Sequence, residues 1–134
     1  MRNAASFRLI GAVLICVAGS TAAVAQSSRR SAQDMVRQAE AQHARLLEQA
    51  PRLHEIDAAI RADCAAKSNG AASDSAFCGC AVAMTMILWR AGADPQMLPR
   101  LLDFANGGEA TAESFLAYQG PELYRPICSL AGRR

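Results

Sequence analysis

Cys78-Gly79-Cys80 places two thiols two residues apart, and thiols are the most reactive groups this chain offers. At a helix start, the positive end of the helix lowers a thiol pKa and populates the thiolate, which can exchange disulfides. The same residues also have a purely structural reading. On an α-helix, residues two apart point about 200° away from each other, at 3.6 residues per turn. Their sulfurs then reach different neighbours, one Cys64 and the other Cys128. Thioredoxin-like chemistry uses Cys-x-x-Cys beside a strand, and no strand–helix alternation is visible. The spacing favours two staples, with a thiol–disulfide redox protein using Cys78 and Cys80 as an alternative.

Four cysteines allow three pairings. The hairpin from 64 to 78 leans toward Cys64–Cys78 with Cys80–Cys128. Loop-closure entropy assigns about 3 kcal/mol to the shorter crosslink and about 4 kcal/mol to the longer.

Other candidate chemistry dissolves on spacing. Met84-Thr85-Met86 reads like a soft-metal pair, but within an apolar helical run both methionines are expected in the core. His43 and His54 lie eleven residues apart, about 16 Å along an unbroken helix, too far to share a metal. His54-Glu55 opens a zincin-like phrase, yet Ala58 stands where the second histidine belongs. Both histidines are expected on a solvated, charged helix face. Glu55 and Asp57 diverge for the same reason as the cysteines. There is no Gly-x-Ser-x-Gly elbow, and Asn106-Gly107-Gly108 lacks the lysine of a phosphate loop and reads as a helix stop. No catalytic residue, cofactor or metal is assigned.

The elements that would position the cysteines are all helical. Ser31-Ala32-Gln33-Asp34 resembles a capping box. Met35, Ala39, Leu46, Ala50, Leu53, Ile60 and Cys64 follow at helical spacing as one apolar face. Pro51 either kinks this run or opens a second helix, so residues 31–67 form a projecting amphipathic helix or a kinked pair. Ser68-Asn69-Gly70 stops it. After a polar loop, Phe77 to Trp89 is apolar throughout except for Gly79 and Thr85. A helix apolar on all sides is buried on all sides, which makes this the central helix, ending near Arg90-Ala91-Gly92. Asp94-Pro95 starts another helix carrying Met97, Leu98, Leu101, Leu102 and Phe104. Thr111 caps a short piece with Phe115, Leu116 and Tyr118 on its inner side. Gly120-Pro121 resets the chain, and Leu123, Tyr124, Ile127 and Cys128 belong to a last helix before Arg133 and Arg134 fray. The expected fold is all-α: a small bundle of four to five helices stapled by two disulfides.

Arg30, Arg37, Arg45 and Arg52 recur at steps of seven or eight. Asp34–Arg37, Arg45–Glu48 and Glu48–Arg52 lie at neutralising spacings, as on a solvated face. The other reading makes Arg37, Arg45 and Arg52 an interaction face on a partner-docking arm.

The N-terminus carries an address. Arg2 and Arg8 precede or flank a ten-residue apolar stretch, Leu9 to Ala18, and Ala23-Val24-Ala25 is a small-x-small cleavage pattern. Residues 1–25 are read as a cleaved signal peptide, 26–30 as a flexible N-terminus and 31–134 as one helical domain. The apolar stretch is short of the about 20 residues a membrane span needs. Removing 25 residues from 134 leaves 109, with twelve basic and twelve acidic side chains and four cysteines. Such an even count suits two disulfides in an oxidising compartment.

Composition narrows the function classes. The chain is 51% hydrophobic and 19% charged, too apolar for disorder and too short for a multi-domain enzyme. A mature net charge of zero argues against nucleic acid and anionic lipid as partners. The expectation is a small exported non-catalytic helical protein of the periplasm or envelope, either protein-binding or structural. Its partner would be another envelope or secreted protein, or a second copy of itself. The alternative is a carrier of a small apolar ligand in a pocket between helices. In size, export and cysteine use the layout is similar to the small exported helical proteins that neutralise periplasmic toxins, which implies an inhibitor- or immunity-like role.

Overall fold

In the computed structural model, residues 29–68, 72–118 and 124–131 are described. The leader, its cleavage point, the Asn69-Gly70 stop, Gly120-Pro121 and the terminal arginines lie outside them. Five α-helices follow one another: α1 (29–49), α2 (His54–Lys67), α3 (Ala76–Arg90), α4 (Met97–Ala105) and α5 (Arg125–Ala131). Two 3-10 segments, Pro51–Leu53 and Ala112–Tyr118, complete the set. No strand occurs among the described residues. The all-α expectation holds.

Pro51 opens the 3-10 turn that separates α1 from α2. It has no N–H to lose there, and Leu53 N donates to the Ala50 carbonyl to close the turn. The pair is therefore kinked, and α1 does not project. Val36 and Ala39 pack against Cys80, Met84 and Cys128, while Leu46 joins the main core. The helix is under way by residue 29, so Ser31 lies inside it rather than at its cap, and Arg29 and Arg30 belong to the helix. Its inner face keeps Ala39 and Leu46 as expected, but nearer the start of the helix Val36, 1% exposed, takes the inner place instead of Met35, 48% exposed.

α3 is the central helix. Ser75 caps it by accepting from Cys78 N, and nine of its residues are buried. One side, with Val82, Met86 and Trp89, meets Ile56 and Ile60 of α2, Met97, Leu101 and Phe104 of α4, and Phe115. Another side, with Cys80 and Met84, meets α1 and α5. Met84 and Met86 thus enter different clusters, as residues two apart on a helix should. The helix is not sealed all round, since Leu88 is 41% exposed.

Both α3 and α4 end in the same hydrogen-bonded turn. After α3, Ala93 N donates to Leu88 O and Gly92 N to Trp89 O, with Gly92 at φ +79°. After α4, Gly108 N donates to Asp103 O and Gly107 N to Phe104 O, with Gly107 at φ +95°. These are Schellman stops, and the positive φ requires glycine. Asp94 does not cap α4 directly. Its side chain accepts from Gln96 N, and the α-helix begins at Met97, two residues later than the expected start at Pro95. The segment after Thr111 is 3-10 rather than α, with Ala112 and Phe115 buried three residues apart on one edge.

Cys64 is joined to Cys78 and Cys80 to Cys128. The first bond ties α2 to the start of α3, and the second ties α3 to α5. This is the pairing toward which the hairpin spacing leaned.

Candidate functional site

The chemistry-bearing residues fall in three places. Cys78 and Cys80 are both buried, and each sulfur is bonded to a different helix. They do not pair with one another.

The histidines separate completely. His54 is exposed, as expected. His43 is 5% exposed, which corrects the expectation that it is solvated. It sits at the helical spacing of Val36, Ala39 and Leu46, on the inner face of α1. Its Nε2 lies 3.0 Å from Asp57 Oδ1 on α2, close enough for an ion pair but not aligned as a hydrogen bond. Arg61 Nε donates to the other oxygen, Asp57 Oδ2, at 2.9 Å. Burial acts to raise the Asp57 carboxyl, but the His43 and Arg61 contacts outweigh it and hold the group below its ordinary value. Arg61 Nη1 also reaches to within 3.5 Å of the Ser73 carbonyl oxygen in the loop between α2 and α3. No hydroxyl or thiol among the described residues hydrogen-bonds to His43. The cluster therefore clamps α1, α2 and the approach to α3 without supplying a nucleophile.

The three arginines of the expected interaction face have three different situations. Arg37 is exposed and pairs with Asp34 one turn before it. Arg52 turns inward: its Nη1 donates to the carbonyl oxygens of Phe104 at 2.8 Å and Gly108 at 2.7 Å. Arg45 is exposed. The Arg45–Glu48 and Glu48–Arg52 pairs suggested by spacing are not among the ion pairs of the described residues.

Arg45 instead belongs to a groove. Along one wall, Leu46, Ala50 and Leu53 come from α1 and the turn after it. Leu98, Leu101 and Leu102 of α4 form the facing wall, enclosing about 360 Å³ open to solvent. Leu102 remains 52% exposed on the lip. The groove continues into a polar end of about 290 Å³, where Gln42, Arg45 and Gln49 of α1 face Ile87 and Arg90 of α3. Leu46, Gln49 and Arg90 line both parts, which makes the trough continuous. Sequence reading found Arg45 but missed the trough. Leu98 and Leu102 looked like core, but Leu98 is half-buried and Leu102 is exposed along the wall that α4 gives the trough.

Among the described residues no cluster of three or more histidine, cysteine or acidic side chains could hold a metal ion. No described helix is long and apolar enough to cross a membrane. The chain matches no known family, no characterised protein and no solved structure.

Proposed function

We propose that this chain is a small exported, non-catalytic helical module that binds another protein in the bacterial periplasm or envelope, in an inhibitor- or immunity-like role. The observation that carries this reading is the open apolar groove between α1 and α4, with Leu102 on its lip. An exposed apolar trough on a small rigid scaffold is the usual form of a surface that docks a partner element. Two disulfides fit an oxidising compartment, and they tie α2 and α5 to the central helix α3. The leader pattern of residues 1–25 supports export.

The test is a photo-crosslinking residue placed at Leu102 in the producing cell, with Met35 as the control position. A discrete protein adduct from Leu102 and none from Met35 is the expected result. A chain that stays monomeric and gives no adduct at Leu102 overturns the reading.

The apolar lining favours one second reading, a carrier of a small apolar ligand. Native mass spectrometry separates the two, because a carrier isolated from cells retains a small-molecule mass.

A further inference from the structure

Resting on the protein-binding reading, we propose that the groove receives an acidic amphipathic helix of the partner, its apolar face on Leu98, Leu101 and Leu102 and its carboxylates against Arg45 and Arg90. The walls of the trough are themselves helices, so an occupant of helical shape packs ridge into groove. Gln42 to Gln49 on the α1 wall covers eight residues, about 10 Å at the helical rise, and Leu53 extends that wall by roughly another turn.

Charge selects the occupant. No acidic side chain lines either part of the trough. The side chains of Arg45 and Arg90 take part in no ion pair or hydrogen bond among the described residues, whereas those of Arg37, Arg52 and Arg61 are each engaged. Two uncompensated guanidinium groups at one end of an apolar trough complement carboxylates lying beside aliphatic side chains.

The same features disfavour the other occupants. A symmetric pair of copies brings the same patch onto itself, which leaves the arginines of both copies without a carboxylate, since no acid lines the trough. A small ligand binds where most of its surface is enclosed. This trough is open along its mouth, and a ligand inside it leaves the outer side of Leu102 in water.

The experiment is a selection of displayed amphipathic helices, three to four turns long with randomised polar positions, on the oxidised folded protein. Enriched helices are expected to carry Asp or Glu one turn from two or three aliphatic residues. Their affinity should fall by about tenfold or more with Leu102→Asp, and similarly with Arg45→Gln combined with Arg90→Gln. Added salt should weaken them further. Leu102→Gln replaces Leu102→Asp if the latter lowers the melting temperature. Helices that lose binding with Leu102→Asp but carry neutral or basic polar positions overturn the acidic-partner proposal and leave the protein-binding reading standing. Helices indifferent to the Leu102 variants overturn the groove itself, and the protein-binding reading with it. Dodecanoate that occupies the groove while no helix is enriched overturns the proposal in favour of a small anionic amphiphile.

Discussion

The Arg52 guanidinium lies over the Phe104 ring, 4.2 Å from its centroid, and donates to the carbonyl oxygen of the same residue. One cation thus holds both the face and the backbone of a fully buried side chain. The second acceptor is the Gly108 carbonyl oxygen, so the guanidinium sits at the C-terminus of α4, where the helix dipole favours positive charge. Phe104 in turn meets Phe115 edge-on, with ring centroids 5.4 Å apart. Arg52 therefore joins the turn after α1 to the far end of α4.

Removing it should be costly. Arg52→Ala deletes two charge-assisted hydrogen bonds and the ring contact, and is expected to lower stability by about 2–3 kcal/mol. Arg52→Lys should recover only part of that loss, because an ammonium lacks the planar fork. Urea unfolding of the three proteins checks both expectations. Equal stability of wild type and Arg52→Ala would show the contact to be energetically empty.

Asp57 predicts the acid limb of the stability curve. Its folded pKa is below the unfolded value, so ionised Asp57 stabilises the fold above about pH 4. That contribution is lost as pH falls through the depressed folded pKa. Asp57→Asn should therefore lower stability by about 1–3 kcal/mol at neutral pH, since His43 and Arg61 lose their charged partner. The gap between variant and wild type should close on acidification below pH 4. Denaturant melts between pH 2.5 and 7 read this directly, and a gap independent of pH would remove the carboxylate as its source.

The disulfides should be unequal. Cys64–Cys78 spans 14 residues and Cys80–Cys128 spans 48. Loop entropy makes the longer bond worth about 1 kcal/mol more. The paired variant Cys80→Ala with Cys128→Ala should also release α5, a seven-residue helix whose buried anchor among its described residues is Cys128. Hydrogen exchange in residues 125–131 is expected to reach the fully exposed rate in that variant while α2 and α3 keep protection. Cys64→Ala with Cys78→Ala should leave α5 protected. Retained protection of α5 without its disulfide would place the anchoring elsewhere.

Much of this architecture was legible in the sequence because it is written locally. The solid apolar run identified α3, and Gly92 and Gly107 marked helix stops because their turns need positive φ. The divergence of Cys78 and Cys80 on one helix argued against their pairing, and each is joined to another helix. What escaped was tertiary. Val36 rather than Met35 faces inward because the first half of α1 packs on Cys80, Met84 and Cys128, whereas Leu46 farther along joins the main core. His43 looked like surface because its partner Asp57 lies fourteen positions on, beyond a proline turn. Arg52 fitted a surface stripe only while the helix was imagined to continue through Pro51. The groove has no local signature at all, since its two walls come from α1 and α4.

Gly107 and Gly108 allow these local and tertiary effects to be separated. Gly107 needs its glycine for conformation: φ is +95° and a Cβ there would meet open space. Gly107→Ala should cost about 1 kcal/mol, and Gly107→Asn less, because asparagine tolerates the left-handed region. Gly108 needs its glycine for space. A Cβ there would lie 2.8 Å from the backbone oxygen of Asp103, the acceptor of the Gly108 N–H itself. Relieving that clash must open the turn and move the Gly108 carbonyl away from Arg52. Gly108→Ala is therefore expected to cost about 1–3 kcal/mol and to be non-additive with Arg52→Ala, whereas Gly107→Asn and Arg52→Ala should add. A double-mutant cycle in urea measures the difference. A Gly108→Ala cost that adds fully to the Arg52→Ala cost would mean that the turn can relax without disturbing the arginine.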